Sequence, residues 1–243
     1  MPRIVIVTLD GCIASGKTTA VRRLRERIAY PVVVAQEPVD QWEESGLLHE
    51  MYMSIARRNA AGGETTDDGM PGMFQVYAFS TRLGEFAQRY REASAMDAEV
   101  VVLLSERSVY SDRAIFKHML QHDGYITDVQ SRIYDGCFEA WELACERCRP
   151  DVSVWLDTPP DECLRRQHVR GRAGEGALFE GQDTEASKYA RKLQQRHVEV
   201  FGSGKFEGAE VIKLDGHTRF DTQDEAADKM ATLVNEAIAR RLA

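Results

Sequence analysis

Five short apolar runs punctuate the chain, at residues 4–9 (IVIVTL), 32–35 (VVVA), 100–104 (VVVLL), 152–156 (VSVWL) and 211–214 (VIKL). Each is rich in β-branched residues and nearly continuous rather than alternating, the pattern of a strand covered on both faces. Between them, apolar positions recur at helical spacing. Val21, Leu24 and Ile28 mark a first helix, and Gln75, Ala78 and Arg82 share one face of a helix beginning near Met73. Another helical pattern covers 132–149, and the last spans roughly 224–242. Strands alternating with helices predict an α/β fold: a five-stranded parallel sheet flanked by helices on both faces. Two stretches rich in glycine, acidic and small residues, 59–72 and 173–187, break the pattern and read as surface loops within one domain spanning 1–243.

In such a sheet ligands gather beyond the carboxyl ends of the strands. DGCIASGKTT, residues 10–19, follows the first run directly and meets the pattern G-x-x-x-x-G-K-[ST] at Gly11, Gly16, Lys17 and Thr18. A chain of this length meets it by accident about 1% of the time, so a phosphate-binding loop is the expectation. The backbone of Gly11, Cys12, Ile13, Ala14, Ser15, Gly16 and Thr19 would close around the phosphates, with Lys17 reaching the β/γ-phosphates and Thr18 binding Mg²⁺. Glu37 follows the second run, and Glu106 and Arg107 follow the third. Glu37 reads equally as a base for a hydroxyl nucleophile or as a carboxylate bonded to a neighbouring helix's N–H groups.

Arg165, Arg166, Arg170 and Arg172 put four arginines in eight residues of an acidic protein. Arg166 and Arg170, at i and i+4, repel unless an anion lies between them, so this face is expected to meet phosphate. Gly171, Gly174 and Gly176 around it suggest a lid over about 166–187 that closes on a transferring phosphoryl group.

Composition narrows the class further. The 243 residues are 43% hydrophobic and 29% charged, enough for one sizeable core. A net charge of −8 argues against a surface for nucleic-acid polymers or anionic membranes. No apolar run approaches ~20 residues and Met1 leads directly into the first strand, so a cytoplasmic location without a targeting segment is expected. Five cysteines in no framework spacing are expected as free thiols, and the C-x-x-C of Cys145 and Cys148 lacks a second pair to complete a zinc site.

Four elements in a fixed order carry a resemblance: Glu37-Pro38-Val39 with Trp42, Phe74-Gln75 with Tyr77, the octet ERSVYSDR at 106–113, and Arg166-x-x-x-Arg170-x-Arg172. Together they resemble the deoxynucleoside kinases, in particular the deoxycytidine/deoxyguanosine kinase branch, from the phosphate loop to about Phe220. The resemblance implies a P-loop nucleoside kinase with an arginine-rich lid. It would transfer the γ-phosphate of ATP or UTP, with Mg²⁺, to the 5′-hydroxyl of a deoxynucleoside in nucleotide salvage. Glu37 would accept the hydroxyl proton, held by Arg107. Glu106 would bind Mg²⁺ through water beside Thr18, or itself be the acceptor; both assignments stay open. Lys17, Arg166, Arg170 and Arg172 would stabilise the moving phosphoryl group.

On the substrate side the resemblance gives Gln75, Arg82 and Asp112 to the base edge, which goes with dC, dA or dG over dT. Tyr52 and Glu175 fall to the sugar 3′-hydroxyl, and Ile13, Val39, Trp42, Leu48, Phe74 and Phe116 to the apolar walls. Residues 215–220 would lie near the donor base. Relatives are commonly homodimers, and Trp141 belongs either to such a face or to the core. The chain departs from the family at Asp10 and Cys12 in the loop, at Gly174, which replaces the first of two lid glutamates, and in the insertions. Two other classes stay in view: a thymidylate-type nucleoside monophosphate kinase, and a non-catalytic relative of the fold. The octet with Asp112 speaks against the first, and intact Lys17, Thr18, Glu37, Glu106 and Arg107 against the second.

Overall fold

The structure, a computed structural model, describes residues 1–61, 68–145, 148–171 and 185–243. In chain order the elements are β1 (Arg3–Gly11), α1 (Lys17–Arg25), β2 (Val32–Ala35), α2 (Val39–Glu44), α3 (Leu47–Ala60), α4 (Met70–Ser94) and β3 (Val100–Glu106). There follow α5 (Val109–Ser111), a π-helical turn (Asp112–Lys117), α6 (His118–His122), α7 (Asp128–Ala144), β4 (Val152–Asp157), α8 (Pro160–Arg170), α9 (Glu185–Phe201), β5 (Lys205–Phe206), β6 (Ala209–Asp215) and α10 (Asp224–Leu242).

The sheet order is β2-β3-β1-β4-β6-β5. The five expected strands are present and parallel, with β1 central: Val7 lies opposite Leu104 of β3 and Val152 of β4. A sixth strand was not expected. β5 pairs antiparallel with β6 at the edge and is two residues long. No hydrophobic run announces it, because it is set by the turn at Glu207 and Gly208, whose φ angles of 51° and 86° match a two-residue hairpin.

The two-sided burial read from the strands is visible in the core. Val5, Val7 and Leu9 of β1 pack with Val21 and Leu24 of α1 and with Met230, Val234 and Ile238 of α10. Ile4 and Ile6 point the other way, into a cluster with Ala93 of α4 and Leu103 of β3. Phe79, Phe138, Trp155 and Phe201 extend that second layer, and Trp141 joins it, its ring 5.4 Å from Phe138.

Several boundaries differ from expectation. Helices run into both interrupting stretches, since α3 reaches Ala60, α4 begins at Met70 and α9 begins at Glu185. The helical pattern over 132–149 ends early, at Ala144, and Cys145 is extended. Cys145 is joined to Cys148 by a disulfide, so these two are not the free thiols expected, whereas Cys12, Cys137 and Cys163 are free. Among the described residues no helix is long and apolar enough to cross a membrane.

Gly216, just past β6, holds the neighbourhood of the phosphate loop by close approach. Its N–H donates to Asp157 O at 3.1 Å, and a Cβ there would lie 1.8 Å from Thr158 Oγ1 and 2.6 Å from Thr158 Cα. Thr158 Oγ1 in turn donates to Ser15 O at 3.1 Å. Gly216→Ala is therefore expected to cost about 1–3 kcal/mol, read as a lowered Tm in thermal melts; an unchanged Tm would show that this contact relaxes freely.

Candidate active site

The parallel strands bring their carboxyl ends to one edge, where the segments that follow β1, β2 and β3 surround a cavity of about 500 Å³. Gly11 and Gly16 adopt φ angles of 151° and 101° there, and a Cβ on Gly11 would come within 2.7 Å of Ser15 Oγ. The close turn therefore needs glycine. Lys17 begins α1 and folds back over the loop, its Nζ donating to Cys12 O at 2.9 Å and Gly11 O at 3.3 Å. Burial, then the Arg107 charge, brings its ammonium down to about 8, against the pull of Glu106 and Glu37. From behind, α9 buttresses the loop: the Cys12 thiol donates to Gln194 Oε1 at 3.0 Å, and the buried His197 ring lies 3.9 Å from Cys12 Sγ.

Thr18 and Glu106 meet in one corner. The Thr18 hydroxyl donates to the Glu106 carboxylate at 3.1 and 3.3 Å, and burial pushes the Glu106 carboxyl above its ordinary value, opposed by Lys17. Two hard oxygen groups so placed fit a Mg²⁺ ion that keeps most of its waters.

The other wall is a run of alternating charges. Arg82 of α4 donates through Nη2 to Glu37 Oε1 at 3.0 Å and to Asp112 Oδ1 at 3.4 Å. Arg107 brings Nε to 3.3 Å from the same Glu37 oxygen. Burial alone would raise the Glu37 carboxyl, but Arg107, Arg82 and Lys17 together outweigh it and hold it at about 2. Arg107 has a left-handed φ of 62°, a strained conformation for a long side chain, and its guanidinium stacks 4.6 Å from the Phe116 ring. Its Nη1, and the Nε and Nη1 of Arg82, are buried with no hydrogen-bond acceptor among the described residues. Gln75 Nε2 donates to Asp112 Oδ2 at 2.6 Å, and burial raises the Asp112 carboxyl against the pull of Arg82.

Every expected residue on the nucleoside side that lies within the described residues lines this one cavity: Glu37, Tyr52, Gln75, Arg82, Arg107 and Asp112, with all six expected apolar walls. Arg172 and Glu175 lie outside the described residues. Arg166 and Arg170 also line the cavity, but the anion that relieves Arg166 is a protein group. Its Nε donates to Glu162 Oε1 at 2.6 Å, and its two terminal nitrogens donate to Ser15 O and Gly216 O at 2.9 Å each. The repulsion argued between Arg166 and Arg170 overlooked Glu162, one turn before Arg166. Sequence reasoning also missed Tyr189 and Lys192 of α9, which close the cavity's far side, with Lys192 bridging to Asp123 at 2.9 Å. The basic residues on that helix were the available signal.

A phosphate loop opening a helix at the carboxyl edge of a parallel sheet, with a basic helix beside it, is the arrangement of a P-loop nucleotide-binding protein. The chain belongs to the deoxynucleoside kinase family, whose pattern it matches over residues 7–66 and 68–239. It is 31% identical over 172 residues to a probable deoxycytidine kinase of fowlpox virus, covering 71% of this chain and 64% of that protein. It is 28% identical over 203 residues to the deoxycytidine kinase of Rattus norvegicus, covering 80% of this chain and 74% of the relative. A thymidine kinase of ictalurid herpesvirus 1 is 30% identical over 200 residues, covering 81% and 74%. The relatives' names thus differ in the base they specify.

Removing Arg82 would leave two buried carboxylates with less compensation. Arg82→Met is expected to lower stability at pH 7 by about 3–5 kcal/mol. The sign of the pH dependence follows: a depressed Glu37 carboxyl stabilises the fold above its ordinary value of 4.5, and that contribution fades as pH falls toward 2. The gap between variant and parent should therefore be widest near neutrality and narrow as both carboxylates protonate in acid. Melting curves from pH 7 down to about pH 2.5 check this, and a gap that widens toward acid would contradict the assignment.

Proposed function

We propose that this protein transfers the γ-phosphate of ATP, with Mg²⁺, to the 5′-hydroxyl of a deoxynucleoside, favouring dC, dA or dG over dT, as a cytoplasmic enzyme of nucleotide salvage. The chain from 1 to 243 acts as one catalytic unit. One observation carries the reading: Arg82 Nη2 lies between Glu37 and Asp112, so a carboxylate suited to a reacting hydroxyl and one suited to a base edge share one wall of one cavity.

Glu37 receives the 5′-hydroxyl and takes its proton as the new O–P bond forms. A carboxylate held at about 2 is a weak base, which suits a loose transition state in which the hydroxyl proton leaves late. Arg107 orients Glu37 and offers its unpaired N–H groups to the oxygens on which charge gathers. Glu106, engaged with Thr18, belongs to the metal corner, which supports Glu37 as the acceptor. Mg²⁺ would neutralise charge on the donor phosphates there. Lys17 and the arginines Arg166, Arg170 and Arg172 answer the remaining negative charge. UTP is accepted in place of ATP if residues 215–220 leave the donor base unread.

At the other end, Gln75 offers one donor and one acceptor, and Asp112, paired with Arg82, offers an acceptor to an exocyclic amino group. Tyr52 and Glu175 bind the sugar 3′-hydroxyl. A coupled ADP-release assay against dC, dA, dG, dT and dTMP tests the whole reading. Turnover on dC or a purine deoxynucleoside, lost in Lys17→Ala, is expected, and Glu37→Gln should lower kcat by about 10²–10⁴ with little change in nucleoside binding. Turnover confined to dTMP would point to a monophosphate kinase, and none at all to a non-catalytic member of the fold.

We also infer a homodimer. On α7 the side chains of Val129 and Ile133 are 57% and 56% exposed, and Met73 at the start of the neighbouring α4 is 62% exposed. Burial of these apolar side chains against a second copy would explain their exposure on two helices that pack together. Light scattering should give twice the 27.4 kDa chain mass, and Ile133→Asp should halve it; a monomeric parent protein would reject this surface.

A further inference from the structure

Tyr134 lies on α7 outside the cavity lining and is 1% exposed, with its ring 5.5 Å from that of Phe79. It makes one polar contact toward the site: its hydroxyl donates to Asp112 Oδ2 at 3.1 Å. Asp112 is the one carboxylate that Gln75, Arg82 and Tyr134 all address, from two helices that pack on each other.

Counting lone pairs gives the contact its meaning. An ionised carboxylate offers about four acceptor positions. Gln75 Nε2 at 2.6 Å and the Tyr134 hydroxyl fill Oδ2, and Arg82 Nη2 takes one position on Oδ1 at 3.4 Å. One acceptor position on Oδ1 remains, and it accepts only an N–H or O–H. An amino group at position 4 of a pyrimidine satisfies it, whereas a keto oxygen there meets another lone pair.

We propose that Tyr134 is a positioning residue for base selection: by donating to Oδ2 it fixes the rotation of the Asp112 carboxylate and keeps it an acceptor, so that a pyrimidine with a 4-amino group is chosen over one with a 4-keto oxygen. The inference rests on the reading of Asp112 as the residue that meets the base. Without the hydroxyl, Oδ2 regains a free position. The carboxyl group can then turn, or take up a proton and donate to a keto oxygen, and discrimination falls.

The test compares kcat/KM for dC and dT in the parent protein, Tyr134→Phe, Asp112→Asn and the double variant. Phenylalanine keeps the ring packed on Phe79. Should that variant melt below the assay temperature, Tyr134→Met removes the same hydroxyl. Tyr134→Phe is expected to lower the dC:dT ratio about 10-fold, the loss of one hydrogen bond to a charged group. The change should appear in KM for dC, with kcat altered less than about twofold. In the Asp112→Asn background the same change should move the ratio no further, because the hydroxyl acts through that carboxylate.

A purely structural tyrosine would shift both nucleosides together and leave the ratio intact. That result, with Asp112→Asn still altering the ratio, overturns the inference alone. If Asp112→Asn leaves the ratio unmoved as well, the base-reading assignment falls and the inference with it.

Discussion

Arg82 places a single nitrogen against two carboxylates, Glu37 and Asp112, in a site where Arg82 and Asp112 are almost fully buried. Charges taken out of water are tolerated only when each is answered nearby, so none of the three can move independently. Arg107 adds a second guanidinium on Glu37, and Gln75 and Tyr134 add donors on Asp112. The result is a rigid strip running from Glu37 to Asp112. In the proposed reading its length fixes where the two ends of a nucleoside lie.

The sheet makes that strip possible. Parallel strands deliver Glu37 and Arg107 from neighbouring β2 and β3 to the same edge at which β1 opens into the phosphate loop. The long α4 crosses above and supplies Gln75 and Arg82 from one face, two turns apart. The left-handed backbone at Arg107 is the strain that aims its side chain back toward Glu37, and burial of the whole side chain under Phe116 holds it there. On the far side, the turn after β4, α8 and α9 tie the loop down through Thr158, Arg166, Gln194 and His197, so the loop's shape depends on contacts more than a hundred residues away in sequence.

What the sequence made legible follows from which forces leave a local trace. Burial on both faces leaves continuous apolar runs, so the five parallel strands were readable to within two residues at each end. The phosphate loop was readable because backbone geometry demands glycine at fixed spacing. β5 left no trace, since two residues and a left-handed turn carry no periodicity. The starts of α4 and α9 were hidden by glycine and acidic residues. The wall residues came from the family resemblance, and the cavity unites those within the described residues. Tyr134 was invisible for a different reason: with Ser131 and Phe138 it sits on the buried stripe of an amphipathic helix, indistinguishable from packing until its hydroxyl's partner, 22 residues earlier, is known.

A crystal structure with deoxycytidine and ADP–Mg²⁺ bound would test the central claim most directly. The account requires the base edge against Gln75 and Asp112 and the 5′-oxygen within about 3.2 Å of the Glu37 carboxylate, hydrogen-bond reach for a proton acceptor. A nucleoside whose base lies away from Asp112, or whose 5′-oxygen faces Glu106 instead, would contradict it.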